Sequence, residues 1–301
     1  MTSFRVTPRG PFSLEASIRF LEGFAPAAYD GAQHPNHLHL AFPVEGAWEN
    51  TVGVCIRQTS KAVVGEIFGE ANSEAVRRQV VRILSLDVDG TEFPGVGKRD
   101  RVVGALQDSY AGLRPVLFWS PYEAAAWAII GHRIRITQAA RIKQLMSQEL
   151  GEEIVVHGER LHAFPSSQRL ASMDGFPGLF ARKIEYLHGI AEAALQGRLD
   201  AARLRTLGRE DALEELKRLP GIGDFSAELI LVRGAGEPDH FSRSERRLHG
   251  VMADSYDFQA VPSIEKLADI AEKWRPYRSW VSVLFRTELE DRTHDIAGPK
   301  R

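Results

Sequence analysis

Asp211-Ala212-Leu213-Glu214-Glu215-Leu216-Lys217-Arg218-Leu219-Pro220-Gly221-Ile222-Gly223-Asp224-Phe225-Ser226-Ala227-Glu228-Leu229 is the stretch on which the reading of this chain turns. Leu213 and Leu216 give a helix from Asp211 to Lys217 its apolar face, and the helix stops at Leu219-Pro220-Gly221-Ile222-Gly223. A second helix begins near Asp224 and carries Ala227, Leu229, Ile230 and Val232 on to Arg233-Gly234. Two closely spaced glycines permit positive φ and leave no side chain above the turn, so several backbone N–H groups can meet a phosphate at the next helix N-terminus. Ile222 is placed to plug down between the helices. Taken alone, the same turn also fits a plain αα-hairpin.

Outward from the hairpin, the helical pattern dominates from Arg101 to Glu290, broken by short turns bearing Gly or Pro. Before Val96 the pattern is mixed. His37 to Pro43 and Thr51 to Ile56 predict strands, whereas Ser13 to Gly23 and Ser73 to Leu86 predict helices. In the second helix Val76, Val80, Val81 and Leu84 form the apolar face and Glu74, Arg77, Arg78 and Arg82 the other. The expectation is a small α+β domain over 1–100, an all-α domain over 101–290 and a polar tail over 291–301. Phe93-Pro94-Gly95-Val96-Gly97-Lys98 is expected to be an interdomain turn, because Glu92 and Arg99 stand where a phosphate loop needs Gly and Ser/Thr. Trp119, Trp127, Trp274, Tyr277 and Trp280 are expected to pack in the core.

With 301 residues, 44% hydrophobic and 26% charged, the chain can bury a sizeable core. No apolar run approaches a bilayer span and Met1 to Val6 does not read as a leader, which makes a cytoplasmic location the default. The single Cys55 excludes an internal disulfide, a four-cysteine zinc site and a cysteine-ligated iron–sulfur cluster. The histidines show no His-Glu-x-x-His spacing, and His37 and His39 alternate like exposed strand positions, so no transition metal is expected. A net charge of −2 gives no overall pull towards nucleic acid. Any such surface must come from local clustering, as in Arg133, Arg135, Arg141 and Lys143, which no acidic residue interrupts between Glu123 and Glu149. A second cluster, Arg233, Arg243, Arg246 and Arg247, is diluted by Glu237, Asp239 and Glu245.

Three blocks in the right order carry a family resemblance. Leu219 to Glu228, followed by Leu231-Val232-Arg233-Gly234 and Asp239-His240-Phe241, resembles the hairpin segment of the 3-methyladenine DNA glycosylase II family of helix-hairpin-helix glycosylases. Tyr122 to Ile134 resembles the family helix that ends in an Ala-Ile-x-Gly turn, and Ala271 to Trp280 its Trp-x-Pro-aromatic-Arg-Ser joint. The resemblance covers about Leu106 to Glu290. It implies an α+β N-terminal domain followed by an all-α helix-hairpin-helix glycosylase domain, and base-excision repair by a monomer acting on double-stranded DNA that contains a damaged base, in the cytoplasm or at the nucleoid.

Such enzymes rotate the damaged nucleotide out of the duplex and hydrolyse its N-glycosidic bond through a cationic sugar, which a carboxylate stabilises. The family's Asp falls on Glu245, whose extra methylene moves the charge by about 1.5 Å, and a misplacement of around 1 Å can cost about a hundredfold in rate. Glu245 therefore reads either as the catalytic carboxylate or as a loop carboxylate paired with Arg243, Arg246 or Arg247. The resemblance assigns the base pocket to Phe225, Leu229, Arg246 and Arg286, where relatives carry mostly aromatic residues, and guanidinium groups repel a cationic base. Phe225 occupies the place of the lysine of bifunctional relatives, which implies hydrolysis without strand cleavage. DNA contacts are implied for His132, Arg133, Gly221, Ile222, Gly223 and Ser226, with a monovalent cation at the carbonyls of Lys217, Leu219 and Gly221 and no other cofactor. The departures at Glu245, Leu229 and Arg286 also suit a catalytically impaired DNA- or damage-binding protein of the same fold.

Overall fold

The computed structural model describes residues 2–24, 26 and 36–293. An antiparallel sheet in the order β1-β4-β3-β2 is formed by β1 (Thr2–Val6), β2 (His37–Val44), β3 (Ala47–Gln58) and β4 (Val63–Phe68). Against it pack α1 (Leu14–Gly23), opened by the Ser13 hydroxyl accepting the Ala16 amide, and α2 (Ser73–Ile83), opened by the Asn72 side chain accepting those of Glu74 and Ala75. The predicted helix over Ser73 to Leu86 stops at Ile83, and Ser85 at φ +50° takes the chain off the helical path. Arg82 is not on a solvent face as predicted. It is buried, donating to Glu45 at 2.9 Å, to the Trp119 carbonyl at 2.8 Å and to the Gly234 carbonyl, so it ties the sheet layer to the helices. Periodicity located the apolar face of α2 correctly; it could not show that the opposite face meets a second layer.

The helical part contains α3 (Pro94–Arg99), α4 (Arg101–Ser109), α5 (Pro121–Ile130), α6 (Ile136–Leu150), α7 (Ser167–Ala171), α8 (Ala181–Leu195), α9 (Ala201–Thr206), α10 (Arg209–Lys217), α11 (Asp224–Leu229), α12 (Arg246–Ser255), α13 (Ile264–Ala271) and α14 (Arg278–Thr293). The expected interdomain turn at Phe93 to Lys98 is largely α3, because Pro94 at the first turn needs no N–H partner and its fixed φ starts the helix. The predicted polar tail begins as helix, since α14 runs through Asp291 to Thr293; residues 294–301 lie outside the described ones. Every residue of α5 is buried, and it is the centre of a core shared with α6, α8 and the hairpin. A separate core joins Phe93, Val96 and Leu106 to Trp274, Tyr277, Trp280 and Phe285. All five aromatic residues expected in the core are buried. No described helix is long and apolar enough to cross a membrane.

Sequence patterning missed one hairpin inside the helical part: β5 (Glu153–Val156) and β6 (Glu159–His162), joined by His157 and Gly158, both at positive φ. The strands are too short and polar to show alternation. The hairpin lies on the sheet at Gly53, where a Cβ would come within 2.4 Å of Val156 and 2.7 Å of Ile154. It also covers His39, which is 2% exposed rather than a solvent-facing strand position.

Candidate functional site

The hairpin forms as the sequence predicts, with α10 running from Arg209, two residues earlier than expected, and α11 followed by a π-helical turn at Ile230–Ala235. Gly221 sits at φ +82°, and a Cβ there would strike Tyr186 at 2.5 Å and Ile129 at 2.8 Å. Gly223 has open space where its Cβ would be, and α11 starts from it without a side-chain cap. The first-turn amides of α11 are therefore left for an external acceptor. Ile222 is buried between the helices and its N–H donates to the Leu219 carbonyl at 3.1 Å, so this residue serves the turn rather than an external contact as expected. Ser226 is likewise buried.

Glu228, one turn into α11, organises the loop beyond the π-helical turn. Its carboxylate accepts the Ser242 hydroxyl at 2.5 Å, the amides of Arg243 at 3.0 Å and Ser244 at 3.3 Å, and the Ser244 hydroxyl, with His240 Nε2 at 3.3 Å. Burial raises its pKa, but the bonds from His240, Ser242, Ser244 and Arg243 outweigh that and hold it down at about 2. The other side of the loop is pinned by Arg278, whose guanidinium clamps Asp239 at 2.9 and 3.1 Å, and by Ser279, which accepts the His240 amide at 3.0 Å. The Arg-Ser pair of the C-terminal joint thus fixes this loop.

The loop delivers Glu245 to the N-cap of α12. Its side chain makes no capping bond, is 24% exposed and lies 3.8 Å from Arg286 Nε on α14. The pairing with Arg243, Arg246 or Arg247 left open by the sequence is not what is found: Arg243 pairs with Glu265 at 2.9 Å, and Arg246 and Arg247 are exposed. Arg233 on the π-helical turn faces the same group. Its guanidinium stacks 4.7 Å from Phe24 and 5.2 Å from Phe20 and donates to the Val116 carbonyl at 2.7 Å. Burial, with Arg286 adding to it and Glu245 opposing, pushes its pKa down to about 10, so it stays charged at neutral pH.

Phe24 packs edge-on to Phe118 at 5.4 Å, and Phe118 lies 6.5 Å from Trp127. The candidate site therefore brings together Glu245, Arg286, Arg233 and the rings of Phe20 and Phe24. Of the predicted pocket residues, Leu229 packs at the edge of this core, whereas Arg246 is exposed and Phe225 is 47% exposed on α11. Arg246 is the first residue of α12, and Arg233, which is not among the predicted pocket residues, faces Glu245. Phe20 and Phe24, four apart at the end of α1, were legible only as an apolar helix face.

At the end of α5, Arg133 is exposed at φ +55°, a strained conformation for this residue, and His132 is half-buried beside Lys183. Lys183 donates to the Ile130 carbonyl at 2.7 Å and so holds this turn in place. Of the basic stretch, Arg135 and Arg141 are exposed, but Lys143 is buried against Glu123 at 2.7 Å and faces no partner outside the fold. Helical spacing places Lys143 on the inner face of α6, which the charge count alone could not show.

No family model matches the chain. Among curated proteins it is 24% identical over 214 residues to a DNA-3-methyladenine glycosylase of Bacillus subtilis, covering 68% of this chain and 71% of that protein. It is 29% identical over 185 residues to DNA-3-methyladenine glycosylase 2 of Escherichia coli, covering 59% of this chain and 61% of the relative. The matched region thus spans between about three fifths and seven tenths of these relatives. Among solved structures, 3-methyladenine DNA-glycosylase from Archaeoglobus fulgidus superposes with a TM-score of 0.76 at 24% identity, covering 97% of this chain and 99% of that one. The fold, with its hairpin and its loop held by Glu228, is that of a helix-hairpin-helix DNA glycosylase. Within that class the relatives it resembles are DNA-3-methyladenine glycosylases.

Proposed function

We propose that the chain excises a damaged base from duplex DNA by hydrolysis of the N-glycosidic bond, as a monofunctional, monomeric enzyme of base-excision repair. The observation that carries this reading is the placement of Glu245: a partly open carboxylate, not used as a cap, at the end of a loop fixed from both sides by Glu228 and Arg278. Cleavage develops positive charge on the sugar, and a preorganised carboxylate stabilises it without having to reorient. Arg286 at 3.8 Å helps to keep that carboxylate aimed. The uncapped start of α11 meets the DNA backbone, Arg133 enters where the flipped base leaves a gap, and Phe20 and Phe24 offer faces to the extruded base. With Phe225 in place of the lysine of bifunctional relatives, this position offers no amine for a Schiff base, and an abasic site is the expected product.

The arrangement of an α+β domain over 1–100 before a glycosylase domain over 101–290, and residence in the cytoplasm at the nucleoid, belong to the same proposal. So does a monovalent cation at the carbonyls of Lys217, Leu219 and Gly221. Hard oxygen donors suit such an ion, and the Leu219 carbonyl keeps a lone pair after accepting Ile222; the ion would stiffen the turn.

The test is an abasic-site assay on methylated duplex DNA beside a salt-dependent binding titration. Wild-type protein forms alkali-labile sites, and Glu245→Gln lowers the rate by about a hundredfold or more while duplex binding persists. Binding without excision by the wild type would favour a damage-binding role instead.

A further inference from the structure

The far side of the sheet carries a cluster that the repair site does not use. His39 and Cys55 are directly opposed across β2 and β3, and His37 lies two residues along β2 on the same face. One ring nitrogen of each histidine and the Cys55 sulfur lie within 4.8 Å of one another, and Cys55 Sγ is 3.8 Å from His37 Nδ1. For tetrahedral zinc, bond lengths of about 2.3 Å to sulfur and 2.0 to 2.1 Å to nitrogen put adjacent sulfur and nitrogen ligands about 3.6 Å apart. The pair is thus within a few tenths of an ångström of coordination spacing without any ion.

The surroundings are those of a held site. Glu159 on β6 places its carboxylate 2.6 Å from His39 Nδ1, fixing the ring as carboxylates do behind metal-bound histidines. The row His39, Cys55, Glu66 runs straight across β2, β3 and β4, and Glu66 is 3.1 Å from His157 Nε2 in the turn of the β5–β6 hairpin. The rings of His157 and His39 are 5.7 Å apart. Cys55 is fully buried and His39 nearly so, while His37 is half-buried and leaves a way in. Two imidazoles and a thiolate favour a borderline-soft ion and reject magnesium or calcium, which need several oxygens.

We propose that His37, His39 and Cys55 bind one divalent transition ion of the zinc class, with the fourth position left to solvent, at a site that locks the β5–β6 hairpin to the sheet through Glu159.

The test titrates the purified full chain, stripped with chelator, with Zn²⁺ and with Co²⁺ as a spectroscopic probe. One equivalent binds per chain, Co²⁺ gives a thiolate charge-transfer band in the near ultraviolet, and Zn²⁺ raises Tm. Cys55→Ser abolishes the band and His37→Asn weakens binding at least tenfold; circular dichroism shows that both variants are folded. A thousandfold excess of Mg²⁺ does not compete. Absence of stoichiometric binding, or binding and a band unchanged in both variants, overturns the proposal.

Discussion

The carboxylate of Glu228 accepts the Arg243 backbone amide at 3.0 Å, so the helix that follows the hairpin turn also holds the loop that ends at Glu245. The element proposed to grip the DNA backbone is thereby tied to the proposed chemical group through one side chain. Glu228→Gln keeps the shape but loses the charge and cannot accept from so many donors. Excision falls by about tenfold to a hundredfold, because the loop end shifts by a fraction of an ångström to an ångström. Single-turnover kinetics checks this, and an unchanged rate would separate the loop from catalysis.

The same residue sets a pH dependence. Its folded pKa of about 2 lies below the ordinary carboxylate value of 4.5, so the stability it contributes is fully present above pH 4.5 and is lost as pH falls towards 2. A depression of that size corresponds to roughly 3 kcal/mol. Urea melts of wild type and Glu228→Gln differ by about that much at pH 7 and converge as the pH approaches 2.

How much of this was legible follows from which forces act locally. The hairpin could be read from Pro220, Gly221 and Gly223 because a turn is specified by the residues inside it. What placed Glu245 was out of reach: Arg286 lies 41 positions away in sequence (286 minus 245), and their 3.8 Å approach depends on α12 packing on α14. Arg82 and Lys143 were read as outward charges because pattern reasoning counts an arginine or lysine as polar. Each is buried with its own acidic partner, Glu45 or Glu123, supplied by another element. His37, His39 and Cys55 share no sequence spacing that marks a ligand set; only the β2–β3 register brings them together.

Arg233 bears on the choice of lesion. A charged guanidinium over Phe20 and Phe24 repels a cationic methylated base and can donate to a carbonyl of a neutral one. The ratio of excision rates, neutral lesion over 3-methyladenine, falls by about tenfold in Arg233→Met, a change of about 1.4 kcal/mol in relative barrier. Competition between two labelled duplexes reads this ratio directly, and no change would remove Arg233 from lesion choice.

The buried pair Lys143 and Glu123, 2.7 Å apart, should behave as structure and not as DNA contact. Glu123→Ala strands an ammonium in the core and costs roughly 3 to 5 kcal/mol of stability. Arg133→Ala, at an exposed residue, leaves stability nearly unchanged and lowers the slope of log K against log salt by about 1. Thermal melts and a salt titration of each variant distinguish the two kinds of basic residue.

The two glycines of the hairpin turn answer different demands, and this allows the gripping role to be tested without unfolding the protein. Gly221 is needed for folding: its φ of +82° and the 2.5 Å approach to Tyr186 leave no room for a side chain, so Gly221→Ala costs about 2 kcal/mol or more. Gly223 has an ordinary φ of −101° and nothing within 4 Å of a Cβ position, so Gly223→Asp should fold with Tm nearly unchanged. Its carboxylate would stand before the uncapped amides of α11, occupying them and repelling phosphate. Duplex affinity at low salt then drops by about tenfold or more, lesion-bearing and undamaged DNA alike. Retention of full affinity by a folded Gly223→Asp protein would mean that the duplex is held elsewhere.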